Sequence, residues 1–123
     1  MILADTAIWV DHLNRGDARM AALLEADEIV LHPHVLGEIA LGSLRNRAEI
    51  LGDLAAMPFV MVAEEDEVLA LVEQRRLFGS GIGLVDAHLL ASTLLTPETK
   101  LWTRDRRLRE AAERLGVAGE PAA

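Results

Sequence analysis

Cysteine is absent from this 123-residue sequence, which excludes disulfides, thiolate metal sites and a cysteine nucleophile and fits a reducing compartment. Aromatic residues are also scarce: the sequence has no tyrosine and only Trp9, Phe59, Phe78 and Trp102. So few rings argue against a single-strand-binding protein that stacks successive bases on an aromatic platform. No uncharged run is long enough to span a membrane, and Asp5 interrupts the apolar N-terminus where a signal peptide would continue. We therefore expect a cytoplasmic protein that does not enter a membrane.

Basic residues are also few compared with acidic ones. The 12 Lys and Arg residues stand against 20 Asp and Glu residues, which gives a net charge of −8. Because phosphate contacts need a basic surface, charge alone argues against a nucleic-acid-binding protein. That objection weakens if some of the acids hold divalent cations, which supply local positive charge. The basic residues are also concentrated, with six of them and only three acids between positions 100 and 114.

Apolar runs and helical periodicities alternate along the chain, which predicts a single α/β domain over residues 1–123. We predict a central parallel sheet of four to five strands with helices on both faces, followed by a loose tail over residues 120–123. The predicted strands cover residues 1–4, 28–32, 59–62 and 100–103, with a short edge strand at 117–118. The predicted helices cover residues 7–15, 33–44, 46–57, 64–78, 84–95 and 104–115, with one more after Asp17. In such sheets the functional crevice lies at the carboxyl ends of the strands.

Two acids directly follow predicted strands, and two more lie on largely apolar helix faces. Asp5 ends the first strand and Asp105 follows the last long one, so both carboxylates reach one crevice if these strands are neighbours. The helical neighbours of Glu38 are mostly apolar or small, and those of Asp86 include no basic residue. A carboxylate on such a face is costly without a partner, which suggests a bound cation. Taken singly, each acid could instead be a helix cap, a first-turn acid or a solvent-exposed side chain.

Oxygen ligands are those that Mg²⁺ and Mn²⁺ prefer. Ions held by carboxylates lower the pKa of a bound water and clamp the attacking and leaving oxygens of a phosphodiester. Histidine offers no competing site, because His88 lies two residues from Asp86 and on a different side of the helix. No two histidines have the four-residue spacing typical of a zinc site.

Four segments carry these acids, and together they resemble the PIN-domain nucleases, in particular the VapC-type toxins of toxin–antitoxin pairs. The segments are ILADT at 2–6, HPHVLGEIALG at 32–42, GLVDAHLLA at 83–91 and LWTRD at 101–105. The sequence departs from the family pattern at Ala7, where a serine often stands, and at Arg107, where some members carry a further acid.

The resemblance implies a PIN-like fold and a Mg²⁺- or Mn²⁺-dependent endoribonuclease that arrests translation by cleaving structured RNA of the tRNA or rRNA class. It places the metal-binding and catalytic acids at Asp5, Glu38, Asp86 and Asp105, with Thr6 and Thr103 as polar support. It also implies a homodimer and a small VapB-like antitoxin whose C-terminal segment blocks the acidic site. The candidates for gripping phosphates, which could equally be ordinary surface charges, are Arg45, Arg47, Arg75, Arg76, Arg104, Arg106 and Arg107.

Two other classes of protein fit parts of the pattern. A phosphoacceptor receiver domain has similar length, alternation and an acidic magnesium site. It needs an acceptor aspartate after the middle strand and a lysine after a late strand, whereas Ala63 follows residues 59–62 and no lysine follows Lys100. A catalytically inactive scaffold that only holds a partner is the other alternative, against which the four intact acids argue. A metal-dependence assay on RNA separates the three.

Overall fold

The computed structural model describes residues 1–121, which form three strands and seven helices in alternating order. The strands are β1 (Ile2–Ala4), β2 (Ile29–Val30) and β3 (Lys100–Trp102). The helices are α1 (Thr6–Arg15), α2 (Ala18–Glu25), α3 (Pro33–Leu41), α4 (Arg47–Ala55), α5 (Glu65–Gln74), α6 (Leu84–Leu95) and α7 (Arg106–Arg114). Within residues 1–121, none of these helices has the length and apolar character needed to cross a membrane.

The sheet is parallel, with strand order β2-β1-β3, so β1 lies at its centre. Leu3 pairs with Val30 on one side and with Leu101 on the other, and all three side chains are buried. Short apolar strands covered on both faces are typical of parallel sheets between helices. The predicted α/β class and the parallel sheet are confirmed. The consequence for function is that residues following β1 and β3 emerge side by side at one edge.

The prediction of four to five strands was wrong, because residues 59–62 do not form a strand. A single parallel bridge joins Phe59 to Leu31, and Pro58, which has no N–H to donate, precedes it. Beyond the bridge the chain leaves the sheet, since the backbone N–H of Ala63 donates to the hydroxyl of Ser92 on α6 at 3.0 Å. The segment is therefore held by side chains at α6, through the backbone N–H groups of Met61 and Ala63, rather than by strand pairing.

The predicted edge strand at 117–118 is likewise reduced to one bridge, between Ala118 and Leu101. The backbone of Leu101 donates to Val117 and accepts from Gly119, at 2.7 and 3.0 Å, so the pairing is real but one residue long. Glu120, in the predicted loose tail, lies 3.8 Å from Arg109 in an exposed ion pair. Residues 122 and 123 of that tail lie outside the described residues.

Helix ends deviate from the predicted bounds where the backbone turns left-handed. The predicted helix 64–78 ends at Gln74, and Arg76 has a φ of 53°, which an α-helix cannot accommodate. The predicted helix 33–44 ends at Leu41. The helix 84–95 has the predicted bounds, and its residues 87–93 are all buried, as its apolar circumference indicated. This central helix carries Asp86 in its first turn.

Candidate active site at the carboxyl edge of the sheet

Asp5 occupies the position directly after the central strand. Its backbone N–H donates to the carbonyl of Trp102 at 2.9 Å, which fastens the end of β1 to the end of β3. One carboxylate oxygen accepts from the backbone N–H of Thr6, at the N-terminus of α1, and the other accepts from the hydroxyl of Thr103, both at 2.7 Å. Asp5 therefore caps α1 and is held from both sides by the two threonines that we expected to give polar support.

Glu38 reaches the same edge from α3. Its Oε1 accepts a hydrogen bond of 2.6 Å from the hydroxyl of Thr6. Because the backbone of Thr6 already holds Asp5, this one residue links two acids that are 33 positions apart in the sequence. The partner of Glu38 is thus a threonine from another helix, a donor that the spacing of its helical neighbours cannot reveal.

Asp105 follows β3 and caps α7. Its side chain accepts from the backbone N–H of Leu108 at 3.0 Å, and its own N–H donates to the hydroxyl oxygen of Thr103 at 3.1 Å. The Thr103 hydroxyl therefore donates to Asp5 and accepts from Asp105, so this buried side chain sets the spacing of the two.

Asp86 enters from the first turn of α6, where its Oδ2 accepts from the backbone N–H of Gly83 at 3.0 Å. Burial raises the pKa of the Asp86 carboxyl, and the negative charges of Asp5, Asp105 and Glu38 raise this pKa further. The four predicted acids are thus near enough to repel one another, and we call them the acidic quartet. The hydrogen bond to Gly83 opposes this rise but does not cancel it.

The acidic quartet has no basic counterpart in the part of the chain that the structure describes, because no ion pair there includes any of its four members. Within the same residues 1–121, no three acidic or histidine side chains converge into a ready-made ligand cluster. The reason is visible in the hydrogen bonds, since each carboxylate is turned towards a backbone N–H or a threonine hydroxyl. The site is a set of hydrogen-bonded, mutually repelling carboxylates.

Comparison with known proteins agrees with this arrangement. Residues 2–114 match the PIN domain family, which covers all four members of the acidic quartet. The chain is also 49% identical over 118 residues to "Ribonuclease VapC32" of Mycobacterium tuberculosis, from strain CDC 1551 / Oshkosh and from strain ATCC 25618 / H37Rv. The alignment covers 96% of this chain and 95% of each relative. This chain is a PIN-domain protein of the VapC type.

The PIN domain also contains a histidine cluster that the sequence analysis missed. The ring centroids of His32 and His34 are 5.0 Å apart, and those of His34 and His88 are 4.7 Å apart. His88 is buried, and its Nε2 lies 3.1 Å from Glu65 Oε1 outside hydrogen-bonding geometry. The signal available in the sequence was the pair of histidines around Pro33, but nothing local shows that His88 packs onto them.

His32 ties the start of α3 to α6 in this PIN domain. Its Nδ1 accepts from the backbone N–H of His34 at 2.9 Å, so the ring proton is on Nε2, which lies 3.1 Å from the Ser92 hydroxyl. Burial, together with the charges of His34 and His88, lowers the pKa of His32 to about 4. The neutral ring is therefore part of the scaffold that orients the helix carrying Glu38.

The arginines of the VapC-type chain divide by what they contact. Arg104 lies between two acids, 2.6 Å from Asp11 and 2.7 Å from Asp17. Arg106 is paired with Glu110 one turn along α7, at 3.3 Å. Of the candidates for phosphate contact, Arg104 would have to leave two ion pairs to bind a phosphate.

Proposed function

We propose that this chain is an endoribonuclease toxin dependent on Mg²⁺ or Mn²⁺, with Asp5, Glu38, Asp86 and Asp105 as its catalytic acids. The observation that carries the proposal is the acidic quartet itself: four carboxylates from four elements at one sheet edge, without a basic partner among residues 1–121. Such a charge arrangement opposes folding unless a cation compensates it. The ribonuclease name of the relatives supports the reaction class.

The donor set fits a hard divalent cation. All four acids and both supporting threonines offer oxygen atoms, which Mg²⁺ and Mn²⁺ prefer over the nitrogen and sulfur ligands of zinc. Asp5, Glu38, Asp86 and Asp105 would hold the ion or ions. When bound, such ions supply a water of lowered pKa and neutralise charge on the phosphate. Thr6 and Thr103 fix the orientation of three of the acids, so we assign them a positioning role.

We propose that arginine side chains hold the RNA backbone. We assign phosphate contacts to Arg75, Arg76, Arg106 and Arg107, while a contact by Arg104 competes with its ion pairs to two aspartates. Since the chain carries a net charge of −8, affinity for RNA depends on these local cations rather than on overall charge. A structured RNA of the tRNA or rRNA class, whose cleavage stops translation in the cytoplasm, is the substrate that we propose.

The decisive test measures RNA cleavage with added Mg²⁺ or Mn²⁺ and with a chelator. Asp5→Asn and Glu38→Gln should abolish cleavage and toxicity in expressing cells while the circular dichroism spectrum is unchanged. Asp27→Asn is the matched control, because it makes the same charge change before β2, at the opposite end of the sheet. Its φ of 54° suits asparagine. A fully toxic Asp5→Asn protein would contradict the proposal, and wild-type protein that binds partners but cleaves no RNA would favour the inactive scaffold.

Neutralisation by a small VapB-like antitoxin follows from the same charge arrangement. We propose that an arginine from the antitoxin's C-terminal segment enters the acidic quartet, because a planar guanidinium can engage two carboxylate oxygens at once. This arginine should compete with divalent cations. The complex should therefore weaken more with Mn²⁺ than with monovalent salt of equal ionic strength, and equal weakening by both would show that the inhibitor binds elsewhere.

We also propose a homodimer. Large apolar side chains are exposed on α5, on α6 and in the segment before α5; these are Met61, Val62, Leu69, Leu94 and Leu95. A second copy of the chain that covers these side chains would remove them from water. Leu69→Glu and Leu95→Glu should give a monomer in sedimentation velocity, and an unchanged dimer would place the interface on another face.

A further inference from the structure

The loop of residues 75–83 joins α5 to α6 and presents an aromatic ring at its tip. Leu77 is buried, and its carbonyl accepts from both the backbone N–H and the hydroxyl of Ser80, so residues 77–80 form a turn. Phe78 and Gly79 occupy the two central positions, and Gly79 has a φ of 70°. The turn is thus anchored on one side and projects Phe78 on the other.

Phe78 differs from the other aromatic residues in its exposure. Trp9 and Trp102 are 2% and 1% exposed, and Phe59 is 36% exposed, whereas Phe78 is 59% exposed. A single exposed apolar side chain is ordinary by itself. The exposure of Phe78 is of interest because arginines lie in and against the loop that carries it.

Four arginines lie in or against this loop. Arg75 and Arg76 are its first two residues, and the guanidinium of Arg114 on α7 donates to the carbonyl of Arg75 at 2.8 Å. Arg107 lies so close to Gly81 that a Cβ there would fall 2.8 Å from Arg107 Cδ. Gly81, with a φ of 85°, is therefore required for this approach. The loop that exposes the ring is therefore rich in arginine, in a protein whose net charge is −8.

The same loop is connected to the acidic quartet. It ends at Gly83, whose N–H donates to Asp86 Oδ2 at 3.0 Å. Phe78 and Gly83 are five positions apart in the sequence, so their Cα atoms are at most about 18 Å apart. A nucleotide held at Phe78 is therefore only a few nucleotides from one bound at the quartet.

We propose that Phe78 is a base-binding residue that stacks on one unpaired base of the RNA substrate, next to phosphates held by Arg76 and Arg107. The inference rests on the proposed ribonuclease function and adds a requirement on the substrate. Aromatic stacking combined with a basic groove is how proteins bind single strands without reading sequence. One ring serves one base, so the scarcity of aromatics is no obstacle. The substrate must then offer an unpaired base within a few nucleotides of the cleaved bond, because stacked neighbours cover both faces of a base inside a duplex.

The test measures binding separately from cleavage, in an Asp5→Asn background. The probes are a fluorescein-labelled single-stranded oligoribonucleotide of mixed sequence and the duplex of the same length, titrated by anisotropy. Phe78→Leu, which keeps an apolar side chain, should weaken single-strand binding about 5- to 100-fold and should leave duplex binding unchanged. Phe78→Trp should retain affinity. Phe59→Leu is the matched control and should bind as the parent does.

Two further readouts separate stacking from a general effect on the loop. The tryptophan introduced by Phe78→Trp is exposed, unlike Trp9 and Trp102, so stacking should quench its fluorescence when RNA binds. Gly81→Ala forces the flexible end of Arg107 away and should weaken both single-strand and duplex binding. Because Phe78 lies on the surface, its variants should keep the parental melting temperature.

Three results would overturn the inference: equal RNA affinity for Phe78→Leu and the parent, no quenching in Phe78→Trp, or a loss confined to binding of the antitoxin. The last would mean that a protein covers the ring. These results are distinguishable from failure of the proposed function, because active wild-type enzyme with an RNA-insensitive Phe78 contradicts only the stacking. Wild-type protein that neither cleaves nor binds RNA contradicts both.

Discussion

Two groups of carboxylates lie near the end of β3 and differ in what balances their charge. Asp11 and Asp17 share one guanidinium, that of Arg104, at 2.6 and 2.7 Å, and this side chain also lies over the Trp102 ring. The four carboxylates of the acidic quartet are instead held by N–H groups and threonine hydroxyls. In the first group a positive charge of the chain itself balances the carboxylates. In the second group no basic side chain among the described residues does so.

The pKa values of one carboxyl group from each set shift in opposite directions. The backbone N–H of Met20 holds the pKa of Asp17 below its usual value, and Arg104 lowers it as well. Burial and like charges raise the pKa of Asp86. The two shifts are opposite because the charge of Asp17 is stabilised by N–H groups and a guanidinium, whereas that of Asp86 is opposed by burial and by like charges.

The largest expected difference is in catalysis. Asp105→Asn should reduce RNA cleavage about 1,000-fold or more, as does loss of a group that acts on transition-state charge. Asparagine is also a good N-cap, so α7 should stay intact. Asp11→Asn, which makes the same charge change in the other group, should retain cleavage. Initial cleavage rates on one RNA at matched protein concentration measure the difference. Equal rates for the two variants would contradict a catalytic role that is confined to the quartet.

Acid should weaken the scaffold of the quartet through His32. Its pKa is about 4 in the folded chain and about 6.5 when unfolded, so the unfolded chain binds more protons in this range. Stability should therefore be intact above about pH 6.5 and fall by about 3 kcal/mol as the pH drops to about 4. Urea unfolding of the wild type and of His32→Asn, whose amide oxygen can still cap α3, measures this. Parallel pH profiles would rule out His32 as the cause.

Removing the arginine shared by Asp11 and Asp17 should have a smaller effect on stability. Arg104→Ala removes two partly exposed ion pairs and the contact with Trp102, so the free energy of unfolding should fall by about 1–2 kcal/mol. Arg104→Lys should recover only part of this, because a lysine cannot bridge both aspartates with a planar fork. Denaturant melts give the difference. A stable Arg104→Ala protein with strongly reduced RNA affinity would instead make Arg104 a phosphate contact.

The smallest expected effect is on the melting temperature, which the same kind of substitution should raise at one aspartate and lower at another. With divalent cations chelated at neutral pH, Asp86→Asn should raise the melting temperature, since it removes a charge that burial and repulsion oppose. Asp17→Asn should lower it, since it removes a charge that Arg104 stabilises. The gain should shrink as the pH falls and Asp86 becomes protonated, and the loss should shrink below the pKa of Asp17. Millimolar Mg²⁺ should raise the melting temperature of the wild type and of Asp17→Asn, which keeps the quartet intact, more than that of Asp86→Asn.

The sequence was enough to predict a parallel α/β sheet and to select four acids, but not the strand order, which had to be assumed for Asp5 and Asp105 to meet. Asp5 and Asp105 follow apolar runs, and parallel strands place such residues at a common edge. What it lacked were contacts between distant elements. Two hydrogen bonds depend on how the helices pack: that from Thr6 to Glu38, and that from the backbone of Ala63 to Ser92. Because of the second bond, residues 59–62 do not form the strand that their composition favours.

The placement of Thr103 has a consequence for how the protein is made. Its hydroxyl holds Asp5, which is synthesised near the beginning of the chain, and contacts Asp105, which is synthesised near the end. Domains fold from the N-terminus as they leave the ribosome, and β1 has no neighbour on this side until β3 emerges. The crevice therefore cannot form until β3 and the start of α7 have been synthesised, because Asp5 has neither the Thr103 hydroxyl nor Asp105 beside it before then.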